Sequence, residues 1–212
     1  MKIKWIGHAS FLITDSFGKK IVIDPFDASV GYELYEGDAD IVTLSHHHHD
    51  HDYTELIKGN PTIIDQAGSY NEQGINFVGI PSYHDKQQGA KRGKNVIFVY
   101  TIDGYKVCHL GDLGYELSDD EIKNIGDIDV LMIPVGGVYT IDAQEAAKLA
   151  LRINGRYIIP MHYKTDDLKI GLSGVDEFIN AIGIEPEYEN SNFINITGKF
   201  DFNNKLIILN YK

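Results

Sequence analysis

The most constraining feature of this chain is an internal run of histidines and aspartates at residues 45–52, which reads Ser-His-His-His-His-Asp-His-Asp. It follows residues 40–44, an apolar run of strand length, so the histidines begin where a strand should end. A purification tag sits at a terminus, whereas this run lies inside the chain. We therefore expect the functional site of the protein to include this run.

The order of the side chains in this run matters more than their number. In an extended segment alternate side chains face the same way, so His46 and His48 can bring two imidazoles to one point. His47 and His49 then face elsewhere and fit a histidine-rich, solvated loop. Two nitrogen atoms from alternate positions can share one metal ion.

Asp50 and His51 come next, where residues 53–57 predict a short helix. A bend between the run and that helix can aim an oxygen and a third imidazole at a second point. Imidazole and carboxylate ligands suit zinc, manganese or iron, and the run has no thiolate of the kind found in closed structural zinc sites. The sequence therefore predicts two adjacent metal sites.

The pattern His46-x-His48-x-Asp50-His51 resembles the His-x-His-x-Asp-His signature of the metallo-β-lactamase fold superfamily. The resemblance implies an α/β (α+β) fold, the four-layer αββα sandwich, in which two sheets pack face to face with helices outside. The predicted strands and helices also fall into two comparable halves. We expect a single hydrolase domain over residues 1–212.

Three further residues at predicted strand ends match the remaining ligand positions of the superfamily. His84 follows an apolar run at residues 75–80, Asp112 lies in a Gly-Asp-x-Gly turn, and His162 follows a strand at residues 156–160. The resemblance implies one ion held by three histidines, a second held by two histidines and a carboxylate, and a bridging aspartate. The first ion would be held by His46, His48 and His84, and the second by Asp50, His51 and His162. The bridging aspartate would be Asp112. We expect zinc first, with manganese and iron as alternatives.

Within the superfamily, three segments most resemble the metal-dependent hydrolases related to L-ascorbate-6-phosphate lactonase. They are Gly-His-Ala-Ser at residues 7–10, Asp24-Pro25, and residues 135–140. The resemblance implies that His8 and Asp24 lie near the metals, His8 as a substrate contact or a structural residue, and Asp24 as a capping or orienting group. Leu113 departs from the pattern, because many relatives have threonine after the aspartate.

Two other segments can face the site. Tyr139 lies between a buried strand and a helix capped by Asp142, and it either donates a hydrogen bond to an oxyanion or only packs there. Residues 86–94 carry four basic side chains and no acid, and form either a mobile loop that holds an anionic substrate group or a plain solvated surface. The four are Lys86, Lys91, Arg92 and Lys94.

Composition limits the partners of the protein. The chain has 19 Lys plus Arg against 31 Asp plus Glu, a formal net charge of −12, which disfavours a nucleic-acid substrate. Its single cysteine, Cys108, allows no intramolecular disulfide, and the N-terminus alternates like a strand instead of a signal peptide. No apolar run is long enough to span a bilayer. We expect a cytoplasmic protein with a small-molecule substrate and no membrane partner; the oligomeric state stays open, a homo-oligomer included.

Two metal ions close together bind one hydroxide, lower its pKa toward neutrality and polarise the bond that it attacks, which implies hydrolysis. Asp50 can also orient the nucleophile or pass a proton to the leaving group. The sequence therefore predicts a binuclear metal-dependent hydrolase of a small, anionic lactone, ester or phosphoester. The residues expected to take part in catalysis are Asp50, Asp112, His8 and Tyr139. The alternatives are a nuclease or phosphodiesterase of the same fold and a non-enzymatic metal-binding protein.

Overall fold

The computed structural model describes residues 1–198, 200 and 204–212, and this part of the chain forms two sheets and three helices. The strands are β1 (Lys2–Gly7), β2 (Ser10–Thr14), β3 (Lys20–Ile23), β4 (Ile41–Thr43), β5 (Thr62–Ile64), β6 (Gly68–Glu72), β7 (Ile75–Tyr83), β8 (Lys94–Ile102), β9 (Tyr105–His109), β10 (Val130–Pro134), β11 (Tyr157–Met161), β12 (Pro186–Tyr188), β13 (Phe193–Asn195) and β14 (Lys205–Ile208). The helices are α1 (Asp119–Ile125), α2 (Ala143–Ile153) and α3 (Asp176–Ile182).

The first sheet has the strand order β13-β1-β2-β3-β4-β5, and the second has the order β12-β14-β11-β10-β9-β8-β7-β6. Alternation along the strands sets which side chains lie between the sheets. Phe11 and Ile13 of β2 join the main core, whereas Leu12 between them packs on the opposite face. All five residues of β10 are buried, because α2 packs against the face that the first sheet does not cover. The expected two-sheet sandwich is confirmed.

The outer face of the first sheet is covered by irregular chain instead of a helix. Val22 and Val42 pack there beneath Ala39 and the partly buried Tyr35. The helix predicted for residues 53–57 is wrong: the segment makes a turn, since the Tyr53 N–H donates to the Pro25 carbonyl (2.9 Å) and so joins a neighbouring segment. Among the described residues, no helix has the length and apolar character that crossing a bilayer requires.

Several strands end at one edge of the sandwich. Strands β9, β10 and β11 are parallel, and β3 is parallel to β4, so their carboxyl ends lie side by side. The chain turns sharply where it leaves three strands: His8 after β1, Asp24 after β3 and His162 after β11 have φ values of 52°, 44° and 52°. Left-handed conformations are uncommon in residues other than glycine and concentrate at functional sites.

Candidate metal centre

Seven predicted ligands lie together at this edge. The first cluster contains His46 and His48, which follow β4, and His84, which follows β7; their ligand atoms lie within 4.8 Å of one another. His46 and His84 are buried, and His48 is half-buried. Three imidazoles from two separate strand ends therefore converge on one point.

The second cluster contains Asp50, His51 and His162, joined by His8, and its ligand atoms also lie within 4.8 Å of one another. His51 and His162 are buried, and Asp50 is half-buried. The carboxylate and two imidazoles predicted from the sequence are thus brought together, and the structure adds a third imidazole beside them.

Asp112 lies between the two clusters. Its Oδ2 atom is 3.1 Å from Nε2 of His84 and 3.2 Å from Nε2 of His162, and its Oδ1 atom is 3.4 Å from Nε2 of His51. Burial acts to raise the pKa of Asp112, but His162 and His51 outweigh it and hold that pKa well below its ordinary value. Asp112 is therefore an anion that touches residues of both clusters.

The donor atoms of the site fit metal binding. Among the described residues, Nε2 of His46, Nε2 of His51 and Oδ1 of Asp112 are buried without a hydrogen-bond partner. Leaving such atoms unpartnered costs about 1–3 kcal/mol each, which a bound cation would offset. Ligands held at about 2.1 Å in a tetrahedral arrangement lie about 3.4 Å apart. The separations around Asp112, 3.1–3.4 Å, lie at or just below that distance.

Asp24 orients two of the histidines, His51 directly and His46 through Ser45. Its Oδ2 atom lies 3.0 Å from Nδ1 of His51 and 2.5 Å from Oγ of Ser45, whose own Oγ lies 2.9 Å from Nδ1 of His46. Because a carboxylate only accepts, His51 and Ser45 must donate to it, and His46 must then donate to Ser45. When the rings are neutral, as metal binding requires, Nε2 of each is left with a lone pair toward the cluster, the arrangement common for metal-binding histidines.

The turn that presents Asp112 depends on close backbone packing. Gly111 has φ 56°, and a Cβ atom there would lie 2.3 Å from Oδ1 of Asn95 and 2.6 Å from Cβ of Ser45. Asn95 Oδ1 accepts from the Asp112 N–H (3.0 Å), and Nδ1 of His109 accepts from the Gly111 N–H (3.1 Å). Asn95 and His109 therefore position the Asp112 carboxylate, a role that the sequence did not indicate for Asn95. A buried asparagine at the start of the apolar strand β8 was the available signal.

His8 lies in the protein interior, next to Asp50. Its ring is fully buried, and its Nε2 atom is 3.2 Å from Oδ2 of Asp50. Burial, and next the neighbouring His162, lower the pKa of His8 to about 4, so the neutral ring donates from Nε2 to the carboxylate. Of the two roles left open by the sequence, this position favours the structural one, in which His8 positions Asp50.

His47 and His49 belong to neither cluster and have exposed side-chain fractions of 59% and 65%, although His49 lines the cavity over the site. His47 contacts Asp52 and Asp65 at the surface. Cys108 is buried in the core. The exclusion of His47 and His49 from both clusters agrees with the alternation expected for the histidine run.

The basic loop at residues 86–94 is anchored, whereas a mobile loop was one of the two alternatives that the sequence left open. The buried carboxylate of Asp85 accepts hydrogen bonds from four backbone N–H groups of the loop, at 2.7–3.0 Å. They belong to Gln87, Gly89, Lys91 and Arg92. No sequence pattern indicates this anchor, because all four partners are backbone groups.

A cavity of about 290 Å³, which we call the reaction cavity, opens over the site and is lined by five of the seven predicted ligands. Tyr139 and Arg92 also line it, and the Arg92 guanidinium carbon lies 4.5 Å from the centre of the Tyr139 ring. Tyr139 is therefore near enough to the ligands to face a bound molecule, as well as packing against the basic loop.

The chain is similar to known metal-dependent hydrolases. Residues 2–162 match the family model of the β-lactamase superfamily domain, a span that ends at the last predicted ligand. A UPF0173 metal-dependent hydrolase from Thermococcus onnurineus (strain NA1) is 31% identical over 194 residues, covering 78% of this chain and 85% of the relative. A UPF0173 metal-dependent hydrolase from Pyrococcus abyssi is 32% identical over 196 residues, with the same coverage.

A solved structure extends the similarity to nearly the whole chain. A candidate zinc-dependent hydrolase of the metallo-β-lactamase superfamily from Thermotoga maritima matches with a TM-score of 0.81 and 41% identity, and the match covers 98% of each chain. The residues in the histidine and aspartate clusters are able to bind metal. By family model, relatives and fold, this chain belongs to the β-lactamase superfamily, among its UPF0173 metal-dependent hydrolases.

Proposed function

We propose that the protein is a binuclear hydrolase that opens a lactone, ester or phosphoester bond in a small anionic substrate. Two divalent transition-metal ions would be held, zinc first and manganese or iron as alternatives. The observation that carries the proposal is the set of buried, unpartnered ligand atoms around the carboxylate of Asp112. The first ion would bind His46, His48 and His84, the second Asp50, His51 and His162, and both Asp112.

Two such ions, when bound, activate water and polarise the bond under attack. The residues of the chain supply the remaining steps. Asp50 is an anion, because the hydrogen bond from His8 lowers its pKa against the opposing effect of burial. It can therefore orient the attacking water and carry a proton toward the leaving group. The Tyr139 hydroxyl can donate to the oxyanion that develops on the substrate.

The reaction cavity supports a small substrate, since its volume of about 290 Å³ is at the low end for ligand pockets. The net charge of −12 disfavours a nucleic-acid substrate. Arg92 at the cavity wall is a cation that suits an anionic group, whereas the lactone, ester and phosphoester bonds are equally compatible with the proposed centre.

Elemental analysis and a substrate panel test the proposal. Protein purified without chelator and reconstituted with zinc or manganese should contain two ions per chain and hydrolyse members of a lactone, ester and phosphoester panel. Asp112→Ala is the inactive control, because it removes the carboxylate shared by both clusters. One ion or none after reconstitution contradicts the binuclear centre, and no turnover across the panel contradicts the hydrolase.

A further inference from the structure

Two cavities meet beside the candidate metal centre. One is the reaction cavity; the other, about 910 Å³, is lined among others by Ala67, Pro81, Tyr83 and Lys94, and we call it the outer groove. Of the described residues, His48 and Arg92 line both. A molecule that extends from the outer groove into the reaction cavity therefore passes these two side chains.

The four cations of the basic loop differ in where they lie. Lys86 forms an ion pair with Glu145. Lys91 is exposed and lines neither cavity, and Lys94 lines only the outer groove. Arg92 is the half-buried member that also lines the reaction cavity. Of the basic side chains in this loop, Arg92 is thus the one that lines the reaction cavity.

Arg92 is held from two sides. Its backbone N–H donates to Asp85 (2.8 Å), and its guanidinium lies over the Tyr139 ring at 4.5 Å. Within residues 1–198, 200 and 204–212, no carboxylate forms an ion pair with Arg92. A positioned guanidinium without an acidic partner keeps its planar set of donors free for an oxyanion.

From this geometry we infer that Arg92 is the specificity-determining residue that binds an oxyanion group, a carboxylate or a phosphate, of a two-part substrate. The bond to be hydrolysed lies in the reaction cavity, the oxyanion lies at the junction, and the remainder of the molecule occupies the outer groove. This inference rests on the proposed function, which it deepens by assigning the substrate class and the residue that selects it.

The two cavity volumes support a substrate with two parts. About 290 Å³ is at the lower limit for a complete ligand pocket, whereas about 910 Å³ is near the upper end of the usual range. The outer groove offers apolar surface at Ala67, Pro81 and Tyr83. A substrate confined to the reaction cavity would leave this adjoining surface unused, while a longer one would bury it and gain affinity.

Anion affinity, measured by calorimetry on metal-loaded protein, tests the role of Arg92. The probes are inorganic phosphate and acetate, which distinguish a phosphate from a carboxylate specificity. Arg92→Gln should weaken binding of the preferred anion about tenfold, as expected for loss of a charge-assisted pair at a half-exposed site. Arg92→Lys should recover only part of this loss, because an ammonium lacks the bidentate geometry.

Lys91→Gln is the matched control. Lys91 lies in the same loop, carries the same charge, and its backbone N–H also donates to Asp85 (2.9 Å), but its side chain lines neither cavity. It should leave both affinities unchanged. Equal affinity of the wild type and Arg92→Gln for both anions, equal weakening by Lys91→Gln, or no detectable binding of either anion to the wild type would overturn the inference.

The outer groove is tested with longer, non-hydrolysable probes. Phenylphosphonate and phenylacetate should bind the wild type more tightly than phosphate and acetate, and Ala67→Trp, which fills the groove, should remove that advantage without weakening the short anions. No advantage of the phenyl compounds in the wild type contradicts the two-part substrate. These measurements need no turnover, so a protein that binds anions through Arg92 but hydrolyses nothing refutes the hydrolase proposal alone.

Discussion

Nδ1 of His51 lies 3.0 Å from Oδ2 of Asp24, and neither side chain is exposed to solvent. The carboxylate fixes the imidazole so that Nε2 faces Asp112, 3.4 Å from its Oδ1 atom. Burial disfavours the charged carboxylate, yet the hydrogen bond from His51 holds the pKa of Asp24 below its ordinary value. A histidine that is oriented in this way binds metal more tightly than a freely rotating one.

Asp24→Asn should therefore weaken the second of the two proposed metal sites. We expect its zinc affinity to fall about 10- to 100-fold, measured by competition with a chromophoric chelator, while the first site is less affected. Asp120→Asn, at an exposed position of α1, is the control and should change neither site. Unchanged zinc affinity in Asp24→Asn would show that packing alone orients His51.

Asp112→Ala should remove more metal than either His47→Ala or His49→Ala. Asp112 touches ligands of both clusters, whereas the side chains of the two histidines are 59% and 65% exposed. Elemental analysis after gel filtration should give less than one zinc per chain for Asp112→Ala and the wild-type content for the other two variants. Equal losses in all three proteins would contradict the orientation of the histidine run.

Local patterns were sufficient to predict which histidines and aspartates gather at the candidate metal centre. His46, His48, Asp50 and His51 lie in one short motif, and the remaining candidates each follow an apolar run of strand length. Of the supporting residues, Asp24 was expected as an orienting group from the family resemblance. Asn95 and Asp85 were not found, because they act through contacts that only the tertiary structure creates. Spacing along the chain carries no information on such contacts.

Errors in the predicted elements have a similar cause. Strand β6, which was not predicted, lies beside β7 at the edge of the second sheet and is largely exposed, so its sequence shows little hydrophobic alternation. Strand β12 has three residues at the other edge. The outer cover of the first sheet was expected to be helical, but residues such as Tyr35 cover it from a loop. Hydrophobic patterns in the sequence predict central strands better than edge strands or the loops that cover a sheet.

Gly111→Ala should destabilise the protein more than Gly104→Ala. Both glycines have positive φ, 56° and 81°, so alanine is strained at each; only the Cβ atom at Gly111 would also meet Asn95 and Ser45, whereas the position at Gly104 is open. We expect the two variants to differ by about 1–3 kcal/mol in the free energy of unfolding, measured with urea. A similar stability for both would mean that the turn around Asp112 can relax.

The thiol of Cys108 should be unreactive in the folded protein. The residue is fully buried, and burial raises the pKa of the thiol, so thiolate is scarce at neutral pH. A colourimetric disulfide reagent should label no thiol before denaturation and one thiol per chain in guanidinium, since the sequence has one cysteine. Rapid labelling under native conditions would indicate local opening of β9.

Asp85 should make the stability of the protein depend on acid pH. Burial acts to raise the pKa of its carboxyl, but the four backbone N–H donors of the basic loop outweigh burial and lower that pKa to about 2. The unfolded value is about 3.9. A carboxyl with a depressed folded pKa stabilises the native state fully above the unfolded pKa, and this stabilisation is lost as the pH falls through the folded pKa.

Asp85→Asn should therefore be less stable than the wild type at pH 6, and the difference should shrink as the pH is lowered from about 4 to about 2. Urea unfolding of both proteins across this range measures the difference directly, and effects of metal loss that are common to both cancel at each pH. Asp166→Asn, at an exposed position, is the control and should show no such trend. If the difference between Asp85→Asn and the wild type stays constant down to pH 2, the charge of Asp85 does not hold the loop, and the anchor of Arg92 must be sought in its packing on Tyr139.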